Sequence, residues 1–363
     1  MPPVRLVVTL PGLLPAPDPR AMSRPERGAH SPATMPKVPT TPHLARLLAA
    51  AGAPLVEPDG TAAALARVYG IVRQRDWPLA AIRLSALGRD PGTGYWLAAD
   101  PVTLVAGRDD VRLAGAVSDL AADEAAALVA TINAHFMPDA LVFSAPRPDA
   151  WFVRAPVPAV IVTCPLATAT GRTLRELLPS GADAGTWRRW QNEIQMLLHE
   201  HPVNLARERR GLAPANSVWF WGGGTCPPPG AASIVTFAGN GIAAALAAHR
   251  GAPARDLPAA LAGVLAEVRA DLPAEEREPA TVVVVLDAPL DLAAVERDWA
   301  APAWAALARG AIEAVTLIAD GDSRAAAWTA RRPGAWRRLA ARVRSPDLRA
   351  LLAAAASASD GGT

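Results

Sequence analysis

TVVVVLDAPLDLAAVERDWAAPAWAALARGAIEAVTLIAD, residues 281–320, reads as strand, helix, strand. In the strand Thr281–Leu286, VVVVL is apolar at every position and rich in β-branched side chains, the pattern of a strand buried on both faces. Asp291–Ala308 has helical spacing, and Glu313–Ala319 returns to a strand. A helix between two fully buried strands implies a crossover connection, hence a partly parallel sheet. Working upstream, the alternation continues through helix Thr186–His199, strands Ser217–Trp221 and Ser233–Phe237, and helices Gly241–His249 and Leu257–Leu272. The expected fold class is α/β, a partly parallel central sheet with flanking helices.

The N-terminal half is expected to be mixed α+β. Val4–Leu10 reads as a first buried strand, followed by nine prolines between Pro11 and Pro42 that prevent regular structure. Helices are expected from His43 to Gly52, Thr61 to Val72 and Leu120 to Phe136, the last with acids in its first turns, where the helix dipole favours them. Tyr95–Ala98 and Val111–Leu113 read as short strands about a turn at Gly107. Ala140–Ser144 and Trp151–Arg154 read as a hairpin, and Ala159–Thr163 as another buried strand. These readings divide the chain into a first strand and Pro-rich loop (1–42), a mixed region (43–180), an α/β region (181–350) and a flexible tail (351–363), with the tail's clearest signal from about Ala354 onward.

Composition narrows the function classes. With 51% hydrophobic residues in 363, the chain has enough apolar surface for a sizeable core, which excludes wholesale disorder. The formal net charge of +2 supplies no field to draw nucleic acid or anionic lipid. Lys37 is the only lysine and lies in the Pro-rich stretch, which argues against a Schiff-base mechanism. Two cysteines, Cys164 and Cys226, outside any C-x-x-C, fit a reduced cytoplasmic compartment. The N-terminal apolar run, broken by Pro11, is unlike a signal peptide or membrane span.

Polar chemistry concentrates in NEIQMLLHEHPVNLARERRGLAPANSVWFWGGG, Asn192–Gly224. Pro202 breaks a helix after His201, Asn204 and Arg207 share a face three residues apart, and Asn216 precedes a strand that runs into Gly222-Gly223-Gly224. Glycines after a strand let backbone N–H groups approach an anion, and an arginine fork grips a carboxylate or phosphate at two points. The expected ligand-binding set is Glu193, His199, His201, Asn204, Arg207, Asn216, Gly222 and Gly223, around a small anionic metabolite. The competing reading makes the asparagines caps, His199 a core histidine and the glycines a bend. His199 and His201 beside Glu193 and Glu200 lack the H-E-x-x-H spacing of a zinc site, and GGGTC is not a P-loop. No metal and no cofactor is expected.

HPVN-x2-R-x3-G-x2-PAN, His201–Asn216, followed by an apolar strand and glycines, resembles the archaeal-type cofactor-independent phosphoglycerate mutases of the alkaline phosphatase superfamily. The same segment looks still more like the bacterial RpfE-type regulatory protein family, as do YWLAADPVTL at Tyr95–Leu104 and DWAAPAWAALARGAIEAVTLIADG at Asp298–Gly321. The mutase resemblance implies an alkaline-phosphatase-like sheet with two metal ions held at its strand ends, and phosphoryl transfer through a Ser or Thr nucleophile. This sequence departs from that pattern. Where the first strand of those enzymes ends in a metal-holding Asp-Gly, it has Pro11-Gly12. Where they have Asp-His-Gly, it has Asp320-Gly321-Asp322, and VVVVLDAP, which contains Asp287, has neither His nor Lys.

The expectation is therefore a degenerate, non-catalytic, mutase-like protein that binds a phosphorylated or carboxylated metabolite in a regulatory role. One alternative is an active 2,3-bisphosphoglycerate-independent phosphoglycerate mutase using Asp287, Asp320, Asp322, His199 and His201. A second is a nucleic-acid or protein interaction module built on seven arginines between Arg331 and Arg349, with Trp336 among them.

Overall fold

The computed structural model describes residues 4–14, 40–107, 110–230, 233–271, 279–321, 324–332 and 346–357. Its strands are β1 (Val4–Leu10), β2 (Leu55–Glu57), β3 (Tyr95–Ala106), β4 (Val111–Ala116), β5 (Val142–Arg147), β6 (Ala150–Ala155), β7 (Ser217–Gly224), β8 (Ile234–Phe237), β9 (Ala280–Val285), β10 (Ala314–Asp320) and β11 (Ala325–Arg331). They form a six-stranded and a five-stranded sheet, each within its own compact unit. One unit comprises residues 1–64, 233–239 and 254–363, and the other 65–232 and 240–253.

In the first unit the strand order is β2-β11-β10-β1-β9-β8. β1 lies parallel to β10 and β9, and β8 is parallel to β9, whereas β11 and β2 add antiparallel strands at one edge. Val282, Val283 and Val284 of β9 have no exposed surface, as uniform apolarity requires of a strand covered on both faces. The covering side chains include Leu44, Leu47 and Leu48 of helix Pro42–Ala51, Val264 and Val268 of helix Leu261–Asp271, and Leu307 of helix Ala301–Arg309. Burying each such residue is worth roughly 1.5–3 kcal/mol relative to exposure.

The β9–β10 crossover is as expected, with a local departure. Between helix Leu292–Ala294 and helix Ala301–Arg309, residues Val295–Ala300 widen into a π-helical stretch. Pro302 follows directly, and proline has no N–H to donate to the preceding turn, so the ladder changes pitch before it. From this stretch the Glu296 carboxylate accepts the backbone N–H groups of His43 (2.9 Å) and Leu44 (3.0 Å), and its Oε1 lies 2.6 Å from His43 Nδ1. Helix Pro42–Ala51 has no side-chain cap of its own, so a residue distant in sequence satisfies its first donors.

The second unit is built on β3, a 12-residue strand that pairs antiparallel with β6 along Tyr95–Ala98, with β4 along 102–106, and with β7 from Trp96 to Val102. β5 completes the sheet beside β6. Helices Ala122–Phe136 and Ala184–His199 fill the core with Leu128, Ile132, Trp187, Ile194 and Leu198. The rings of Trp187 and Phe220 meet edge to face at 5.0 Å.

Several expectations are corrected. Tyr95–Ala98 is only the start of β3. β7, read as part of the α/β alternation, belongs to the antiparallel sheet. Ala159–Thr163 is no strand: prolines at 156, 158 and 165 flank it, and it keeps a single bridge from Val162 to Ser180. Its Val160 and Thr163 N–H groups are taken instead by the carboxylates of Asp183 (2.7 Å) and Asp76 (3.0 Å). Helix Leu348–Ser357 enters the expected tail, with Ala355 fully buried. Helix Leu79–Ala86, β2 and β11 were not anticipated. The Pro-rich stretch 15–39, Asp322 and most of the arginine-rich segment (333–345) lie outside the described residues.

Candidate functional site

Helix Ala184–His199 buries Trp187, Gln191, Ile194 and Leu198, and Gln191 donates Nε2–H to the Val218 carbonyl (3.1 Å). This bond anchors the helix on β7 and so sets where the next helix begins. His201 takes the N-cap position of helix Pro202–Arg209, its Nδ1 accepting the Val203 N–H (3.2 Å), while its Nε2 faces the Thr131 hydroxyl at 3.1 Å. Burial pushes its pKa below the usual value, keeping the ring neutral and able to accept.

Asn204 is buried and satisfied at each amide atom. Its Nδ2 donates to the carbonyls of Leu198 (2.7 Å) and Ala215 (3.0 Å), and its Oδ1 accepts the Ala215 N–H (2.9 Å). Asn216 exchanges two hydrogen bonds with the Leu104 backbone, accepting its N–H (2.8 Å) and donating to its carbonyl (2.9 Å), so its amide imitates a strand residue where β7 meets β3.

Arg207 has no exposed surface. Its Nε donates to the Ala213 carbonyl (2.9 Å), Nη1 to Glu124 Oε2 (2.7 Å) and to the Asp119 carbonyl (3.4 Å), and Nη2 to the Asp119 carboxylate. Glu124 also receives Arg210 and the Ala121 N–H (3.1 Å). Burial acts to raise the Glu124 pKa, but that N–H and the two guanidinium groups outweigh it and hold the carboxyl below its usual range. A buried guanidinium without partners is costly, and these internal acceptors remove that cost. The expected grip of Arg207 on an external anion is corrected: the fork is closed on Asp119 and Glu124.

The glycines are required by close approach. Gly222 has φ +72° and donates its N–H to the Thr163 hydroxyl (2.9 Å). A Cβ on Gly223 would come within 2.5 Å of the Tyr95 hydroxyl, and one on Gly224 within 2.6 Å of Pro78 Cβ. The side chains of Tyr95, Leu97, Pro78 and Gln74 and the Leu79–Ala80 backbone take up the space they leave. Glu193 pairs with His135 (3.1 Å) and Arg189 (3.4 Å), and His199 is exposed. Of the eight expected residues, His201, Asn204, Arg207 and Asn216 fasten helix Pro202–Arg209 and the loop after it to their surroundings. Neither of two clefts in this unit, lined in part by Tyr95 and Arg154 and by Arg73 and Val162, includes any of the eight.

Sequence reasoning missed Asp76, a buried carboxylate that accepts from the Trp77 N–H (2.8 Å) and from the Thr163 N–H and hydroxyl. Desolvation pushes its pKa up, against these hydrogen bonds. Tyr95 is shifted upward too, first by burial and then by the charges of Asp76 and Asp183. The only signal in the sequence is an acid shortly before an apolar helix.

In an open α/β sheet, ligands bind beyond the carboxyl ends of the parallel strands. In the first unit those ends are Leu10, followed by Pro11-Gly12, then Asp320, Val285, followed by Leu286-Asp287, and Phe237. Both Asp320 carboxylate oxygens are engaged, Oδ1 by the Gly12 N–H and Oδ2 by the Thr61 hydroxyl (2.9 Å), while its carbonyl accepts the Leu14 N–H (2.8 Å). Gly321 permits this closure, since a Cβ there would meet Leu14 Cβ at 3.0 Å. Among the described residues no three His, Cys, Asp or Glu side chains gather as metal ligands. Among the described residues, the donors at these strand ends do not fit the two-metal centre that the resemblance implies: Pro11 offers no side-chain ligand, and no imidazole stands beside Asp320.

The fold and strand-end geometry define a mixed α/β protein with one partly parallel and one antiparallel sheet. No protein-family model matches the chain. It is 40% identical over 58 residues to the 2,3-bisphosphoglycerate-independent phosphoglycerate mutase of Methanosarcina barkeri (strain Fusaro / DSM 804), a match covering 16% of this chain and 15% of that enzyme. It is 42% identical over 57 residues to the enzyme of the same name from Methanothrix thermoacetophila, covering 16% and 14%. The matched segment thus spans about a seventh of these relatives' length. Among solved structures, the cofactor-independent phosphoglycerate mutase of Thermoplasma acidophilum aligns over 90% of this chain and 89% of its own, at 16% identity and a TM-score of 0.37. The chain is distantly similar to cofactor-independent phosphoglycerate mutases. Among the described residues no helix is long and apolar enough to cross a membrane.

Proposed function

We propose that the chain is a mutase-like protein of the RpfE type, with a degenerate alkaline-phosphatase-like fold, that does not catalyse phosphoryl transfer and acts in the cytoplasm by binding a small phosphorylated or carboxylated metabolite in a regulatory role. The observation that carries this reading is the Asp320 carboxylate, whose oxygens are held by Gly12 and Thr61. Each oxygen keeps a lone pair, but at the neighbouring strand end Pro11 supplies no second side-chain ligand beside this carboxylate, and two divalent cations are what stabilise the charge that develops as a phosphoryl group transfers. The 58-residue match favours a second reading, an active phosphoglycerate mutase. Conversion of 3-phosphoglycerate to 2-phosphoglycerate by the purified full chain, with Mn²⁺ or Mg²⁺ and with or without chelator, separates the two. The expected result is no turnover; chelator-sensitive turnover would establish the second reading.

A further inference from the structure

In the second unit a cleft of about 330 Å³ opens where β3 begins and β6 and β7 end. That volume lies at the small end of the range for ligand pockets, roughly 300–1,000 Å³. Its walls include Val142, Pro156 and Pro158, with Val142 55% exposed, and its polar groups include Thr93 and Arg154.

Arg154 is the arginine of this cleft, and it lacks the partners that Arg83 finds in Asp100 (2.9 Å), Arg147 in Asp149 (2.8 Å), Arg188 in the Pro179 carbonyl and Arg207 in its two carboxylates. Arg154 projects from β6 between cross-strand neighbours that carry no charge, Trp96 on β3 and Val142 on β5. Among the described residues no hydrogen bond or ion pair joins its guanidinium to another group. Gly94 contributes to its position. A Cβ there would lie 3.0 Å from Arg154 Nε and 2.9 Å from Trp96 Nε1, so the absence of a side chain lets the guanidinium lie along the cleft.

We propose that this cleft is a binding site for a small organic monocarboxylate, with Arg154 as its anchor. The guanidinium fork matches the two oxygens of a carboxylate. One arginine neutralises one negative charge, so a monocarboxylate is balanced, whereas a phosphate dianion leaves residual charge against an apolar wall. Val142, Pro156 and Pro158 offer that wall to the hydrocarbon body, and the Thr93 hydroxyl adds a polar group at the rim. This assignment rests on the proposed function, that the chain binds a small anionic metabolite, and it narrows the class to carboxylates.

The test is calorimetric titration of the full chain with benzoate and, separately, with inorganic phosphate. Wild type is expected to bind benzoate more tightly than phosphate. Arg154→Gln is expected to weaken benzoate by about tenfold or more, the equivalent of one charge-assisted contact. Gly94→Ala, which keeps the charge but crowds Arg154 and Trp96, is expected to weaken it severalfold. Arg154 is exposed, so the melting temperature of Arg154→Gln should match that of wild type and exclude misfolding. Absence of benzoate binding, benzoate binding unchanged by both substitutions, or phosphate binding tighter than benzoate would each overturn the site as assigned. Failure of the non-catalytic reading has a different signature, turnover of 3-phosphoglycerate.

Discussion

Replacing Arg207 by alanine tests whether this residue is an internal fastener. The side chain is fully buried and donates to the carboxylates of Asp119 and Glu124 and to the carbonyls of Ala213 and Asp119. Removing one partner of a buried ion pair costs about 3–5 kcal/mol when the other is left stranded. Here the stranding is incomplete, because the Asp119 side chain is 55% exposed and Glu124 keeps Arg210. The loss of Glu124's buried partner, of the hydrogen bond to Ala213 and of the packed stem together set the expectation near the lower end, about 3 kcal/mol. Arg207→Lys keeps a charge but cannot span both carboxylates, and should cost about half as much. The measurement is the midpoint of urea unfolding followed by tryptophan fluorescence, multiplied by the m-value. A cost below roughly 0.5 kcal/mol for Arg207→Ala, the range of an ordinary surface substitution, would refute this reasoning, most clearly if the variant also lost affinity for an anion.

Gly223→Ala should destabilise by about 1–3 kcal/mol through overpacking, since the new Cβ falls 2.5 Å from the Tyr95 hydroxyl. In a Tyr95→Phe background the nearest remaining ring atom is 3.3 Å away, so a double-mutant cycle should recover much of that cost. Glu296→Ala removes the acceptor for the His43 and Leu44 N–H groups and should lower stability by about 1–2 kcal/mol, as loss of a helix cap does. The Glu124 pKa is depressed in the folded state, so its contribution is present above the unfolded carboxyl value, 4.5, and is lost as pH falls through the lower folded value. Unfolding midpoints measured downward from pH 6 should show that loss in wild type, and Glu124→Gln should flatten it.

The parallel strands β9 and β10 and the crossover between them were legible because a strand covered on both faces needs apolar side chains throughout, and VVVVL has nothing else. β11 was not, because AAAWTAR is poor in β-branched residues and reads as helix or loop until β10 and β2 are placed on either side of it. At the motif, His201, Asn204, Arg207 and Asn216 do make polar interactions, but these run to the chain itself, a direction the local sequence does not carry. Asn204 and Asn216 look the same in a sequence whether their amides meet a ligand or the backbone of Ala215 and Leu104. Arg207 is closed off by Asp119 and Glu124, which lie 88 and 83 residues away, and no local pattern reveals such partners. Asp320 was recognised as a carboxylate at a strand end, yet its commitment to Gly12 and Thr61 depends on contacts about 308 and 259 residues apart.

The non-catalytic reading turns on whether the Asp320 carboxylate, at its strand end in the parallel sheet, fastens the chain to itself instead of holding catalytic metal. Equilibrium dialysis of the full chain against Mn²⁺, with Asp320→Asn alongside, measures this directly. Self-fastening requires sub-stoichiometric Mn²⁺ in wild type, no change in Mn²⁺ on substitution, and a loss of stability in Asp320→Asn from the weakened bonds to Gly12 and Thr61. Two tightly held ions per chain in wild type, reduced in Asp320→Asn, would contradict it.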